Sequence, residues 1–177
     1  ASVSSLAAGD SGNIFIQAKD NVSLISSNIF GRVDEGAIGN GGEININTGS
    51  LSLTEGSEID ARTYGQGNAG NITVNTRQNI SLDGSDEVTL ADSSNGILFS
   101  RILNSVDPGA TGNAGDIQLN TGTLSASNGA FISSDTIGKG NAGNITINAR
   151  DNVSFDADSY VSSNVYFDAV GKGGDIR

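Results

Sequence analysis

Carboxylates and arginines are the side chains in this sequence best suited to acid–base chemistry. The 177 residues include no Cys and no His, which excludes zinc centres, haem ligation, disulfides and catalysis by Cys or His. Polysaccharide lyases and hydrolases use clustered carboxylates with Lys or Arg. Four charged residues could face one side of the fold: Asp60, Arg62, Asp116 and Asp135. Nothing distinguishes this set from ordinary solvated charge, so we predict no catalytic residue and keep a carbohydrate-active enzyme as the alternative function.

Calcium binding is a second chemistry to weigh, because Ca²⁺ takes several oxygen ligands. A polar residue follows each of six Gly-rich segments, and these residues are Asn13, Glu43, Asn71, Asp116, Asn144 and Asp175. A ladder of bound metal ions would need Asp at this fixed place after the glycines. The mixture argues against one, so the sequence predicts no metal site and no cofactor.

The overall charge narrows the class of partner. The chain carries 20 acidic and 9 basic residues, a formal net charge of −11. Such a surface repels phosphate backbones and anionic lipid, so nucleic acid is not expected as a partner. No apolar run approaches the roughly 20 residues that a membrane-spanning helix needs. We therefore expect neither a nucleic-acid partner nor a membrane span.

A repeat positions these residues. Six segments share the pattern Gly-x-(Ala/Gly/Ser)-Gly-(Asn/Asp/Glu)-Ile, and their last glycines are Gly12, Gly42, Gly70, Gly115, Gly143 and Gly174. Self-similarity at this period indicates a solenoid. We predict a single β-solenoid over residues 1–177, with coils starting near 12, 42, 70, 115, 143 and 174. Most coils have 28–31 residues, and one is longer.

Apolar and polar residues alternate within each repeat, which is the spacing of strands rather than helices. In the second coil the inward pairs are Ile44/Ile46, Leu51/Leu53 and Ile59/Ala61. Three short strands per coil, joined at Gly-rich corners, favour an all-β fold, a right-handed parallel β-helix of about six coils. The inward residues would stack into one continuous core that no coil could form alone.

Outward positions recur as well. Amides share one position in successive coils, which predicts a ladder of side chains along the rod: Gln17, Asn47, Asn75, Asn120 and Asn148. Basic residues recur only in alternate coils, as Lys19, Arg77 and Arg150, where the intervening coils have Gly49 and Gly122. We interpret this alternation as spacing that limits repulsion between like charges. Thr73 and Thr146 are too often interrupted, by Asn45 and Gln118, to form the regular threonine array of an ice-binding face.

The longest coil carries an insertion within residues 83–104. Loops on a rigid scaffold often carry function, and this one offers a candidate contact surface: Asp83, Asp86, Glu87, Asp92, Phe99 and Arg101. The alternative is a local extra pair of strands that covers the side of the solenoid.

The repeat also carries a resemblance. The segments Gly140-Asn141-Ala142-Gly143-Asn144-Ile145, Gly49-Ser50-Leu51-Ser52-Leu53 and Val106-Asp107-Pro108-Gly109-Ala110 resemble haemagglutinin-repeat exoproteins of the two-partner secretion type. These are filamentous haemagglutinin-like proteins, and the sequence also resembles large exoproteins of cyanobacteria. The resemblance implies a right-handed β-helix, export across the outer membrane and display as a fibre at the outer cell surface.

Taken with this resemblance, the residues predict a structural and adhesive module rather than an enzyme. Its expected partners are further coils of the same protein or stacked copies, and a cell-surface polysaccharide or protein. Val3-Ser4-Ser5 matches Ile132-Ser133-Ser134, and Gly174-Asp175-Ile176 matches the start of a coil. We therefore expect the solenoid to continue into further coils in a longer secreted protein.

Overall fold

A computed structural model describes residues 1–84, 86–89, 95–156 and 158–177, and within these it describes the side chains of all but 86–89 and 95–97. The described residues form strands and turns without a helix. The first eight strands are β1 (Ser2–Val3), β2 (Ile14–Gln17), β3 (Asn21–Ile25), β4 (Asn28–Phe30), β5 (Arg32–Val33), β6 (Ile44–Thr48), β7 (Ser50–Thr54) and β8 (Glu58–Asp60). The others are β9 (Ile72–Thr76), β10 (Asn79–Asp83), β11 (Asp86–Thr89), β12 (Asn95–Leu98), β13 (Arg101–Leu103), β14 (Ile117–Ser127), β15 (Phe131–Ser133), β16 (Ile145–Phe155) and β17 (Tyr160–Ser162).

Equivalent strands of successive coils pair in parallel, which makes the fold a β-solenoid. The first strands of the coils pair in the order β2-β6-β9-β14-β16, and the third strands in the order β4-β8-β13-β15-β17. The second strands lie alongside the first in the same sheet, because β14 and β16 run on from the first strand position into the second. Two further corners of each coil are held by single bridges, such as Val33 to Thr63 and Ile38 to Gln66.

The solenoid has five complete coils and the start of a sixth, where about six were predicted. Equivalent residues of successive coils are 30, 28, 45, 28 and 31 residues apart. The sixth coil begins after Gly174 and is joined to the fifth where Ile176 bridges to Ile145. The predicted all-β parallel solenoid is therefore confirmed.

The core consists of the predicted inward pairs. Ile44, Ile46, Leu51, Leu53 and Ile59 are each 0% exposed, and their equivalents in neighbouring coils lie directly above and below them. Burial decreases towards the fifth coil, where Val153 is 41% exposed. Each coil thus depends on its neighbours to remove its apolar face from water.

From the second coil onward, the last glycine of the motif is required by the distance between coils. A Cβ atom on Gly70 would lie 2.0 Å from the carbonyl oxygen of Gly42, and one on Gly42 would lie 2.1 Å from that of Gly12. The first glycine of the motif has a second requirement, because Gly67 has a φ of 139°, where other residues are strained. The corner is therefore a place where backbones stack without room for side chains.

The polar residues beside these glycines have side-chain oxygens that accept hydrogen bonds from backbone N–H groups of the next coil. The Oδ1 atom of Asn40 accepts a hydrogen bond from the N–H of Asn68 at 3.1 Å, and Asn68 does the same for Asn113 at 2.8 Å. At the position after the last motif glycine, Asp116 Oδ1 accepts a hydrogen bond from the N–H of Asn144 at 2.8 Å. Asn13, Asn71 and Asn144 accept in the same way from the next coil, so Asn and Asp both serve at this position.

The predicted amide ladder is present over four coils. Asn75 donates to Asn47 at 2.9 Å, Asn120 donates to Asn75 at 2.7 Å, and Asn148 donates to Asn120 at 2.8 Å. Gln17 lies in register with Asn47 at the end of the row. The ladder fixes the register of the first strands on their outer surface, where packing exerts little control.

The alternation of basic residues with glycine in successive coils has a steric side that the sequence interpretation lacked. The guanidinium of Arg150 donates to the carbonyl oxygen of Arg77, two coils away, at 2.6 Å. It crosses Gly122, where a Cβ atom would lie 2.9 Å from Arg150 Nη2. Arg77 likewise crosses Gly49 to reach the carbonyl of Lys19. The closest contact of an added Cβ atom at these glycines is a backbone carbonyl of the neighbouring coil, at 2.0 Å from Asp20 for Gly49 and at 2.3 Å from Gln78 for Gly122. Glycine in alternate coils therefore fits this backbone approach and also leaves room for an arginine that connects two non-adjacent coils.

The insertion of the third coil forms a strand pair. β11 and β12 are antiparallel, with Asp86 opposite Leu98 and Thr89 opposite Asn95. This confirms the predicted extra pair of strands. Leu98 lies against the corner of the second coil, where a Cβ atom on Gly56 would be 2.5 Å from that of Leu98. In the described ranges, no helix has the length and apolar character to cross a membrane.

Candidate ligand-binding groove

The third strands and the corner after them carry the most varied outward side chains of the solenoid. Register aligns Glu58, Arg101, Phe131 and Tyr160 in successive coils. The bridges of the next corner align a second row, whose members are Asp34, Tyr64, Asp107, Ile137 and Tyr166. Small residues such as Ser105 and Ser133 lie between the two rows. Large side chains in both rows, with small ones between them, leave a groove that runs along the solenoid axis.

This axial groove is defined by its two walls, its floor and one closed end. The first wall is Arg101, Phe131 and Tyr160, and the second wall is Asp107, Ile137 and Tyr166. The floor is Leu103, Ser105, Ser133 and Asp135, and Arg62 closes one end. The groove encloses a volume of about 180 Å³. It therefore spans the third, fourth and fifth coils.

The first wall is a ladder of aromatic rings. Phe131 and Tyr160 stack with their ring centroids 5.0 Å apart and their planes 4° from parallel. Phe99 extends the ladder, with its centroid 6.5 Å from that of Phe131. The Arg101 guanidinium lies over the Phe131 ring at 5.9 Å. Because Tyr160 remains 46% exposed, the ladder presents apolar ring surface to a ligand.

Ion pairs form the closed end of the groove. Arg62 pairs with Glu58 at 2.9 Å and with the fully buried Asp60 at 3.0 Å, while Arg101 also pairs with Glu58, at 3.1 Å. Burial by itself lowers the pKa of Arg62, but the hydrogen bond and charge of Asp60 outweigh it, so the pKa is raised. Arg62 is therefore permanently charged and neutralised within the protein.

Asp107 is the least satisfied group in the groove. It is 7% exposed, and its Oδ2 atom is buried without a hydrogen bond. The nearest cation is Arg62, whose Nη1 lies 3.6 Å from this oxygen. Burial raises the pKa of the Asp107 carboxyl, and the charge of Arg62 opposes this effect. An unsatisfied buried carboxylate oxygen is costly, and a ligand that donates a hydrogen bond would remove part of that cost.

Asp135 on the floor is satisfied by neutral donors. Its Oδ2 accepts from Ser133 at 2.5 Å and from Ser162 at 2.8 Å, and its Oδ1 accepts from the N–H of Asn164 at 2.6 Å. Its carboxylate thus bridges the third-strand positions of the fourth and fifth coils. This role is structural, since hydrogen bonds from its own protein already engage both of its oxygens.

Tyr64 lies beside the ion pairs that close the groove, and the pKa of its hydroxyl can be measured. Burial raises the pKa of Tyr64 to about 12, against the opposing charge of Arg62. A tyrosine with a raised folded-state pKa stabilises the fold fully below its unfolded pKa of about 10, and this stability is lost as pH rises towards 12. We expect absorbance titration of tyrosinate to show a late step near pH 12 that Tyr64→Phe removes. The same variant should lose less thermal stability between pH 10 and 12, and a Tyr64 step near pH 10 would contradict the assignment.

The structure brings together only part of the predicted contact surface. Phe99 and Arg101 join the aromatic wall, whereas Asp83 is exposed elsewhere and accepts from Asn128 Nδ2 at 2.7 Å. Asp92 and the side chains of Asp86 and Glu87 lie outside the described residues.

The structure also brings together only part of the four charged residues that were predicted to face one side. Asp60, Arg62 and Asp135 do share one face, but the prediction is wrong for Asp116. Asp116 lies at the Gly-rich corner and accepts from the N–H of Asn144. The position after the motif glycine stacks on its equivalents there, so it cannot reach the third-strand face.

Sequence reasoning missed Asp107, Tyr160 and Tyr166. The few aromatic residues of the sequence could have pointed to the groove. Counting back from the motif glycine does not align them, because the corner varies in length: Tyr64 precedes Gly70 by 6 residues, whereas Tyr166 precedes Gly174 by 8. Alignment on the valine or threonine of the bridge, such as Thr63 and Val165, would have brought these residues together. Comparison of the chain with family models, curated proteins and solved structures found no match in any of the three.

Proposed function

We propose that this chain is a structural and adhesive repeat module of a large secreted or cell-surface protein. The solenoid would act as a fibre-like stalk, and the axial groove would be its contact surface for a cell-surface polysaccharide. The observation that carries this proposal is the aromatic ladder of Phe131 and Tyr160, stacked at 5.0 Å along the axis of the rod. Phe131 and Tyr160 cover part of each other's ring faces, but Tyr160 is 46% exposed, so its free ring surface can pack against the positively polarised C–H groups of a sugar ring.

The architecture supports a role as a stalk. Backbone ladders, the Asn47 to Asn148 amide row and the corner hydrogen bonds all run parallel to the solenoid axis. Within the described residues, each complete coil is tied to the next complete coil at five places, three strands and two bridges. Such a rod holds a contact surface at a fixed place along a fibre. Display at the outer cell surface and export by a two-partner route belong to the same proposal, and they predict labelling of intact source cells by an antibody against this chain.

Binding of polysaccharides tests the contact surface. We expect the chain to be slowed in affinity electrophoresis through gels that contain a polysaccharide, and Tyr160→Ala to weaken the interaction about threefold to tenfold. The matched control is Phe15→Ala. Phe15 is also an exposed aromatic, at 72%, but it lies on β2, outside the groove. Equal losses in the two variants would show that binding does not use the groove.

A carbohydrate-active enzyme, a polysaccharide lyase or hydrolase, is the second candidate. One observation favours it, because the buried Asp107 carboxyl lines the groove and burial raises its pKa. A carboxyl with a raised pKa is the feature of a general acid. Release of reducing sugar from a bound polysaccharide, lost in Asp107→Asn, would favour the enzyme. Binding without release favours the adhesive module.

A further inference from the structure

The charges around the axial groove are already neutralised within the protein. Arg62 and Arg101 both pair with Glu58, and Arg62 also pairs with Asp60. Within the part of the chain that the structure describes, the groove therefore offers no unpaired cation to a carboxylate or sulfate group. The net charge of −11 adds a long-range repulsion of polyanions.

Among the described residues that line the groove, Asp107 carries a buried oxygen that makes no hydrogen bond. This oxygen, Oδ2, lies 3.6 Å from Arg62 Nη1, and the Asp107 side chain stands in the wall opposite the aromatic ladder. A ligand that contacts both walls would place an apolar face on Phe131 and Tyr160 and a donor towards Asp107. A hydroxyl group can supply that donor without bringing a charge. A sugar ring combines C–H faces with such hydroxyl groups at its edge.

We propose that the axial groove binds an uncharged polysaccharide, which lies along the solenoid axis and donates a hydroxyl hydrogen bond to the Asp107 carboxylate. This inference rests on the proposed function, and it specifies the ligand class and the residue that selects it. The groove crosses three coils about 4.8 Å apart, so it runs for roughly 10 Å in the direction of a linear chain. Its volume of about 180 Å³ is small, which suits a slender ligand such as a polysaccharide chain.

Dextran and dextran sulfate provide a matched pair of probes, because they share a backbone and differ in charge. Amylose and galactomannan extend the neutral set, and polygalacturonate extends the charged set. Affinity electrophoresis should show binding to at least one neutral polymer, with weaker or no binding to the charged ones. Asp107→Asn keeps the shape of the side chain but removes the charged acceptor, so we expect affinity to fall on the order of tenfold or more.

Asp34→Asn is the control. Asp34 occupies the equivalent corner position in the first coil, where the Ala37 N–H donates to its carbonyl as Ala110 does to that of Asp107, but it lies outside the groove. This variant should bind like the parent. Thermal midpoints and far-UV circular dichroism establish that each variant is folded, and Asp107→Ala provides a second test if Asp107→Asn unfolds.

The outcomes separate this inference from the function on which it rests. Binding only to charged polymers, with loss in Tyr160→Ala, would overturn the neutral ligand and leave the contact surface standing. Equal affinity of Asp107→Asn and the parent for a neutral polymer would overturn the role of Asp107. Binding to none of the polymers would overturn both the ligand class and the adhesive function.

Discussion

Gly70→Ala should destabilise the solenoid by about 3 kcal/mol or more, which lowers the melting temperature by roughly 10 °C for a chain of this size. The added Cβ atom would lie 2.0 Å from the carbonyl oxygen of Gly42, so two backbones would have to separate. Separation would also weaken the hydrogen bond that Asn40 Oδ1 accepts from the N–H of Asn68 across the same pair of coils. Thermal unfolding monitored by circular dichroism measures the effect.

Gly12→Ala is the matched control for that substitution. Gly12 occupies the same position of the motif, but the nearest atom to an added Cβ would be that of Ala1, at 3.8 Å, an ordinary contact. The melting temperature should therefore change by no more than a degree or two. Similar losses for Gly70→Ala and Gly12→Ala would show that glycine is needed here for its backbone conformation and not for the approach of the coils.

Ile72→Asp should unfold the domain or leave it barely stable. Ile72 is 0% exposed and stacks between Ile44 and Ile117 in the adjacent coils. A carboxylate there would be buried without a cation or hydrogen-bond donor, at a cost of several kcal/mol in addition to the lost apolar contacts. That sum is comparable with the whole stability of a typical domain, about 5–15 kcal/mol. Denaturant titration gives the free energy of unfolding.

Thr73→Asp introduces the same side chain one residue along the strand and is the control. Thr73 points outward between Asn45 and Gln118, which are neutral, so the new carboxylate stays hydrated. We expect a change of less than about 1 kcal/mol. Equal destabilisation by the two variants would contradict the inward and outward assignment of this strand.

The sequence by itself determined the architecture. Alternation such as Ile44, Asn45, Ile46 specifies which side chains face inward, and the repeated motif ending in Gly70 or Gly115 specifies where each coil turns. The amide ladder followed from the same alignment, because equivalent residues of a parallel solenoid lie directly above one another. These features depend on residues close in the chain, repeated at a nearly constant interval.

The axial groove was decided only by the tertiary structure. Arg101, Phe131 and Tyr160 come from three coils, and the corner that carries Asp107 and Tyr166 varies in length from coil to coil. Whether two such residues face each other depends on how each corner returns the chain to the next strand. The hydrogen bond that Arg150 makes across Gly122 was also decided by the tertiary structure, because it joins residues 73 positions apart in the chain. The repeated residues specify the rod. The residues that differ between coils shape its surface, and the stacking of the coils decides which of them become neighbours, because they lie far apart in the chain.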